Sequence, residues 1–315
     1  MAEQDNSNWQ QQIIEKLALS SLDEQKKSRR WGILFKTLTF IYLFGTLFAI
    51  LGWLGEGKSS ASPHTAIIDL NGVIEAGGEV NADSVISSLS DAYDSSGTKG
   101  IILRINSPGG SPVQAGIIND EIRRQKALHP KIPVYVVVDD ICASGGYYIA
   151  VAADKIFVNK ASIIGSIGVL MDGYGFTEVM KKVGVERRLM TAGENKGMLD
   201  PFSPVNPKQQ AYAQTMLNEV HQQFIDVVRQ GRGNRLKETP EIFSGLFWSG
   251  DQGIKLGLAD ALGSADYVAR EVIKQEEIVD YTHQETVVDR FAKKIGASMA
   301  KSIGLDALTK GLQLR

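Results

Sequence analysis

The sequence is poor in the residues most often used for acid–base and metal chemistry: 315 residues include one cysteine and four histidines. The single thiol, Cys142, excludes an intrachain disulfide. It reads as a small buried residue rather than a nucleophile, because no histidine is placed to activate it. No His/Cys/Asp group has metal-ligand spacing and no phosphate-loop motif occurs, so no metal or cofactor is expected. The formal net charge of −2 leaves no electrostatic footprint for nucleic acid. There is no repeat of fixed period. Charge is also missing from one long stretch, and that is the first positive signal.

Residues 37–54, TLTFIYLFGTLFAILGWL, carry no charge. Ile33, Leu34 and Phe35 extend the run past Lys36, which can snorkel to an interface. Trp31 and Trp53 stand near the two ends, where interfacial aromatics gather. About 20 apolar residues cross a hydrocarbon core, and a run this long and apolar on every face favours a membrane span over a buried core helix. A transmembrane signal anchor is expected over 31–54. Lys26, Lys27, Arg29, Arg30 and Lys36 are on its N-terminal side, whereas only Lys58 is basic in the 40 residues that follow. The positive-inside rule therefore keeps 1–30 as a cytoplasmic arm, amphipathic over 9–25 through Trp9, Ile13 and Leu17, and exports the rest. A cleaved signal peptide is the competing reading, with Ser59–Ala61 as small residues near a cut.

After a polar linker over 55–63, strand-like and helix-like segments alternate through a domain expected over 64–280. Strands are expected at 65–74, 100–106, 133–140, 155–159 and 187–191. Helices are expected at 82–93, from Ser111-Pro112 to about 128, at 145–153, and from Asn206-Pro207 to Gly231. The Val and Tyr run of 133–140 suits a parallel strand covered on both faces. Short connections between alternating elements predict an α/β fold with a mostly parallel sheet. The basic segment 281–315 has Val288, Phe291, Ile295 and Met299 at helical spacing, which suits a membrane surface or a neighbouring subunit.

In parallel sheets reactive groups gather beyond the carboxyl ends of strands. Strand 100–106 runs into Ser107-Pro108-Gly109-Gly110, and strand 133–140 into Ile141-Cys142-Ala143-Ser144-Gly145-Gly146. Each turn leads into a helix, whose free N–H groups can hold a developing oxyanion. Such turns also bind phosphate or simply permit close packing. Ser144 is placed as a nucleophile but lacks an obvious histidine. His64 is in the membrane-proximal linker, His221 is mid-helix, and His283 is in the tail. His129 precedes the strand that Ser144 follows, about 26 Å away at ~3.3 Å per extended residue. A lysine held neutral can replace histidine as the base. The Ser-x-x-Lys spacings at Ser96–Lys99 and Ser298–Lys301 fall in a polar loop and a basic tail, and the residues alone choose no other lysine.

NSPGG at 106–110, ASGGYY at 143–148, GSIGV at 165–169 and GLADALG at 257–263 resemble, in order, the signal peptide peptidase A family of membrane-bound serine–lysine peptidases. The similarity spans about residues 64–275. It implies a Clp protease/crotonase-like superhelix of ββα units behind an N-terminal transmembrane helix. It also implies Ser144 as nucleophile, Lys196 in GENKGMLDPFSP as general base, Ser166 as the residue orienting that lysine, and Gly110 and Gly145 as oxyanion donors, with Gly109 a second candidate. The substrates implied are remnant signal peptides in a bacterial inner membrane, with small apolar side chains beside the scissile bond. A homo-oligomeric ring is implied, in which one protomer helps complete another's site. A crotonase-type acyl-CoA enzyme would share the Gly-rich turns, but an exported domain would not meet coenzyme A. An inactive membrane scaffold is disfavoured by the intact Ser144, Lys196 and Ser166.

Overall fold

The computed structural model describes residues 24–48 and 62–283, together with Lys16. Most of the 9–25 arm, the end of the anchor, nearly all of the linker and the C-terminal segment from 284 lie outside the described residues. The chain divides into two units. In one, helix α1 runs over Glu24–Phe48 and is long and apolar enough to cross a membrane, with mean hydropathy 1.5. At 1.5 Å per residue its 25 residues reach about 37 Å, more than a hydrocarbon core needs. The hydroxyls of Thr37, Thr39 and Thr46 donate to carbonyls one turn back, those of Ile33, Phe35 and Tyr42. The helix thereby satisfies these three hydroxyls internally, as a lipid surrounding requires.

In the other unit the elements alternate from β1 (His64–Asn71), α2 (Ala82–Asp94), β2 (Thr98–Ser107), α3 (Pro112–Leu128) and β3 (Val134–Ala143) to α4 (Gly145–Ala150), β4 (Lys155–Val158) and β5 (Ile163–Gly165). There follow α5 (Thr177–Lys182), α6 (Pro207–Arg232), β6 (Phe247–Ser249), α7 (Gly250–Leu256), β7 (Ala261–Leu262) and β8 (Ile278–Asp280). The sheet order is β6-β5-β3-β2-β1-β8, with β4 joining β3 to β7. Every pairing is parallel except β5 with β6. The expected α/β fold is therefore present, with strands that carry their side chains alternately to two cores. Ala66, Ile68, Leu70, Ile101, Leu103, Ile105, Val134 and Val136 face the helices α2, α3 and α4, while Ile67, Ile102 and Val137 pack on Phe157, Val268 and Ala269. Each fully buried valine, leucine or isoleucine among them contributes roughly 1.5–3 kcal/mol.

The central strand β3 does two jobs. Over Tyr135–Val137 it pairs with β4, and over Ile141–Ala143 it pairs with β5. Its register with β2 shifts before Ser107 meets Cys142. This bend carries β3 three residues beyond its expected end and delivers Ser144 to the rim of the sheet. Helix starts follow the expected caps: the Ser111 side chain accepts from Gln114 N–H and that of Asn206 from Lys208 N–H.

Three expectations need correction. Residues 187–191 form no strand; of Arg187, Arg188, Leu189, Met190 and Thr191 only the last favours a strand, and no strand of the sheet pairs with them. Gly231 does not end α6, which continues to Arg232 and is capped by Gly233. A Cβ on Gly231 would lie 2.1 Å from the Val151 carbonyl, so this glycine lets α6 approach the end of α4. Finally, His64 is not a linker residue. It is fully buried at the start of β1, with Nε2 3.0 Å from Tyr281 Oη and Nδ1 2.8 Å from the Ser62 carbonyl.

Candidate active site

Ser144 sits between the end of β3 and the first turn of α4 with φ 52 and ψ −121. A positive φ on a non-glycine residue costs on the order of 1–3 kcal/mol and persists only where the surroundings impose it. Here they do. Ser144 N–H donates to Gly165 O at 2.9 Å, and its carbonyl accepts from Tyr148 N–H at 2.9 Å. One turn on, fully buried Tyr147 donates its hydroxyl to Leu258 O at 2.8 Å, tying α4 to the GLADALG segment. A serine forced onto a sharp strand-to-helix turn is the geometry of an exposed nucleophile.

The second Gly-rich turn meets the first. Gly109 has φ +105, and a Cβ there would fall 2.7 Å from both Ser144 Cβ and Gly145 N. A Cβ on Gly110 would fall 2.1 Å from the Ile74 carbonyl, and one on Gly145 3.3 Å from Gly110 N. Two backbones are therefore in contact without side chains between them. The Gly109 N–H is taken by Ser107 Oγ at 3.1 Å. Among the described residues the N–H groups of Gly110 and Gly145 have no acceptor. Two free donors beside a serine hydroxyl are what an oxyanion hole needs. Of the two glycines in this turn, Gly110 and not Gly109 keeps its N–H free.

Ser166 follows β5 as Ser144 follows β3, since Ala143 and Gly165 are register partners. It too has φ 52, and its N–H is held by Leu246 O at 2.7 Å. Lys196 is apart from this group. Its side chain is exposed, makes no hydrogen bond or ion pair among the described residues, and does not line the cavity at Ser144. The single chain thus brings together Ser144, Gly110, Gly145 and the Ser166 turn, and leaves Lys196 facing outward. Cys142 is fully buried, and that burial pushes its thiol pKa up, away from thiolate chemistry.

A cavity of about 40 Å³ adjoins Ser144, walled by Ala115, Tyr148, Val169, Val220 and Phe224. Tyr148 and Phe224 meet at 5.1 Å between ring centroids, and Phe224 is 4% exposed. The space is small and its walls are mostly apolar. His221 stands on the same stretch of α6, but its Nε2 is engaged with the Ile167 carbonyl at 3.1 Å. That link between α6 and the GSIGV turn gave no signal in the sequence beyond a lone mid-helix histidine.

Comparison with known proteins decides the family. The sequence profile of Peptidase family S49 matches residues 126–279. A protein from Enterococcus faecium named putative signal peptide peptidase SppA is 30% identical over 267 residues, which are 81% of this chain and 76% of that protein. The chain belongs to peptidase family S49. The resemblance drawn from its four motifs is borne out. A Brucella melitensis protein named Na(+)/H(+) antiporter NhaA is 43% identical over 202 residues, or 62% of this chain. The chain spans only 27% of that relative's length. Among solved structures, a mutant of the 1510-N membrane-bound stomatin-specific protease has TM-score 0.43 and 16% identity, and covers 72% of this chain and 100% of its own.

Proposed function

We propose that the chain is a membrane-anchored serine endopeptidase that cleaves remnant signal peptides or other membrane-associated peptides through an acyl-enzyme. One observation carries the reading: strained Ser144 stands beside the free N–H groups of Gly110 and Gly145. Neutral Lys196, oriented by Ser166, takes the Ser144 proton. Ser144 Oγ attacks the peptide carbonyl, and the Gly110 and Gly145 N–H groups hold the resulting oxyanion. The protonated lysine returns the proton to the leaving amine. Water then releases the acyl group from Ser144. The α1 helix anchors the chain in a bacterial inner membrane, with its N-terminus cytoplasmic and the peptidase domain on the other side.

The outward position of Lys196 supports an assembled site. Leu170, Tyr174, Val183, Val185, Met190 and Val205 are more than half exposed along the arm that bears it, and no residue of α5 is buried. So much exposed apolar surface marks an interaction face. A second copy covering this arm in a ring would bring Lys196 of one protomer to Ser144 of the next. It would also exclude the water that keeps an amine charged.

Two measurements test this. Since the base works only when neutral, cleavage of a signal-sequence peptide by the full chain should rise steadily between about pH 6 and 9; a flat profile contradicts a lysine base. Phe224→Val should enlarge the cavity at Ser144. The kcat/KM ratio for leucine over alanine beside the scissile bond should then increase roughly tenfold. An unchanged ratio would remove this cavity from substrate selection.

A further inference from the structure

Residues 183–206, between α5 and α6, contain neither helix nor strand, yet they are tied by a specific set of contacts. The Arg187 guanidinium donates to the Asp200 carboxylate, whose side chain is 11% exposed. Ser203 Oγ donates to the same carboxylate oxygen at 2.6 Å. The guanidinium lies over the Phe202 ring, 5.4 Å from its centroid, and Phe202 stacks on Phe176 at 5.5 Å. Phe176 N–H closes the group by donating to Pro201 O at 2.7 Å. The hydrogen bond from Arg187, and then that from Ser203, holds the Asp200 carboxyl below the usual carboxylate range. It therefore stays ionised wherever a lysine base could work.

The Lys196 turn hangs from this group. Lys196 N–H donates to Gly193 O at 3.1 Å, Met198 N–H to Asn195 O at 3.0 Å, and Asp200 N–H to Gly197 O at 3.3 Å. Asn195 Oδ1 accepts from Gln209 on α6 at 3.2 Å. A Cβ on Gly197 would come within 3.0 Å of Leu189 Cδ2, so the turn lies directly on the 187–191 segment. The backbone that presents Lys196 is thus fixed on both sides, while the lysine side chain is left unengaged.

We propose that the Arg187–Asp200 pair, with Ser203, is a clamp that positions the Lys196 turn for proton transfer. This rests on the reading of Lys196 as the general base. Arg187, Asp200 and Ser203 touch no substrate in this account; they act through the lysine. In the assembled site, where a second copy covers the arm, opening the clamp lets the turn sample orientations in which the amine meets water. Turnover then falls, and the pH at which the rate reaches half its plateau moves upward.

The test uses the full chain in detergent micelles, with peptide cleavage followed across pH for Asp200→Asn, Arg187→Gln, the double variant and Lys196→Ala. Each single clamp variant should lower kcat by about tenfold or more with KM within about threefold, and should raise the half-plateau pH by about half a unit. The double variant should be no worse than the poorer single one, as expected when two residues act as one unit. Ser203→Ala provides a milder opening should either charge variant fail to fold, with a smaller change in the same direction. Wild-type kcat in both single variants would overturn the clamp, as would a lowered kcat at an unmoved half-plateau pH, or single effects that multiply in the double variant. If Lys196→Ala is inactive while the clamp variants behave as wild type, the clamp alone falls. If Lys196→Ala remains active, the base assignment fails and the clamp fails with it.

Discussion

Ser144→Ala and Lys196→Ala should each reduce peptide cleavage by about four orders of magnitude or more, and the two together should be no worse than either alone. The non-additivity follows from a nucleophile and base acting in a single step. Stability should barely change. Ser144 is half-buried and holds its turn through backbone groups, N–H to Gly165 O and carbonyl to Tyr148 N–H. Alanine keeps both bonds. Lys196 is exposed, so its removal leaves no cavity. Thermal denaturation measured beside kcat separates the two effects: an unchanged Tm with lost turnover is the expected pair. Substantial turnover in either variant would contradict the dyad.

Gly110→Ala should damage fold and site together. The added methyl would lie 2.1 Å from the Ile74 carbonyl at a position with φ +148. Neither a side-chain rotation nor a small shift relieves a clash with backbone. The Ile74–Gly110 bridge would have to part, at a cost of roughly 3 kcal/mol or more. The Gly110 N–H would move with it, and losing one oxyanion donor lowers kcat by about a hundredfold to a thousandfold. Gly116→Ala on α3 is the natural control, since a Cβ there meets nothing within 4 Å. It should leave turnover alone and stabilise the helix by up to about 1 kcal/mol. Equal behaviour of the two variants in Tm and kcat would contradict the close approach of the two Gly-rich turns.

The parts of the site that were legible in the sequence are those that a parallel ladder brings together. Strands β2 and β3 could be read from their apolar runs. Once they are parallel, the Gly109–Gly110 and Ser144–Gly145 turns must share an edge, and the pairing of Ser107 with Cys142 places them there. Helix caps at Ser111 and Asn206 were legible because their cause is local. The misreadings have non-local causes. The segment 187–191 was read as a strand, but whether a segment pairs depends on strands far along the chain, and none of them takes it up. Gly231 looks like a terminator until Val151 is known to lie against it. His64 belongs to the core because Tyr281, more than 200 residues away, lies over its ring. Lys196 was the least legible. Neither periodicity nor spacing identifies it, and only the resemblance does. In the single chain its side chain meets nothing that marks it as a base.

The most direct test of the central claim is covalent labelling of the full chain by an acylating or phosphonylating serine reagent, with the modified residue located by mass spectrometry of the digested protein. The account predicts one adduct, on Ser144. It should form faster as pH rises and be absent from Ser144→Ala. It should also be strongly slowed in Lys196→Ala at an unchanged Tm. An adduct on another serine, or peptide cleavage by a chain whose Ser144 resists the reagent, would contradict it.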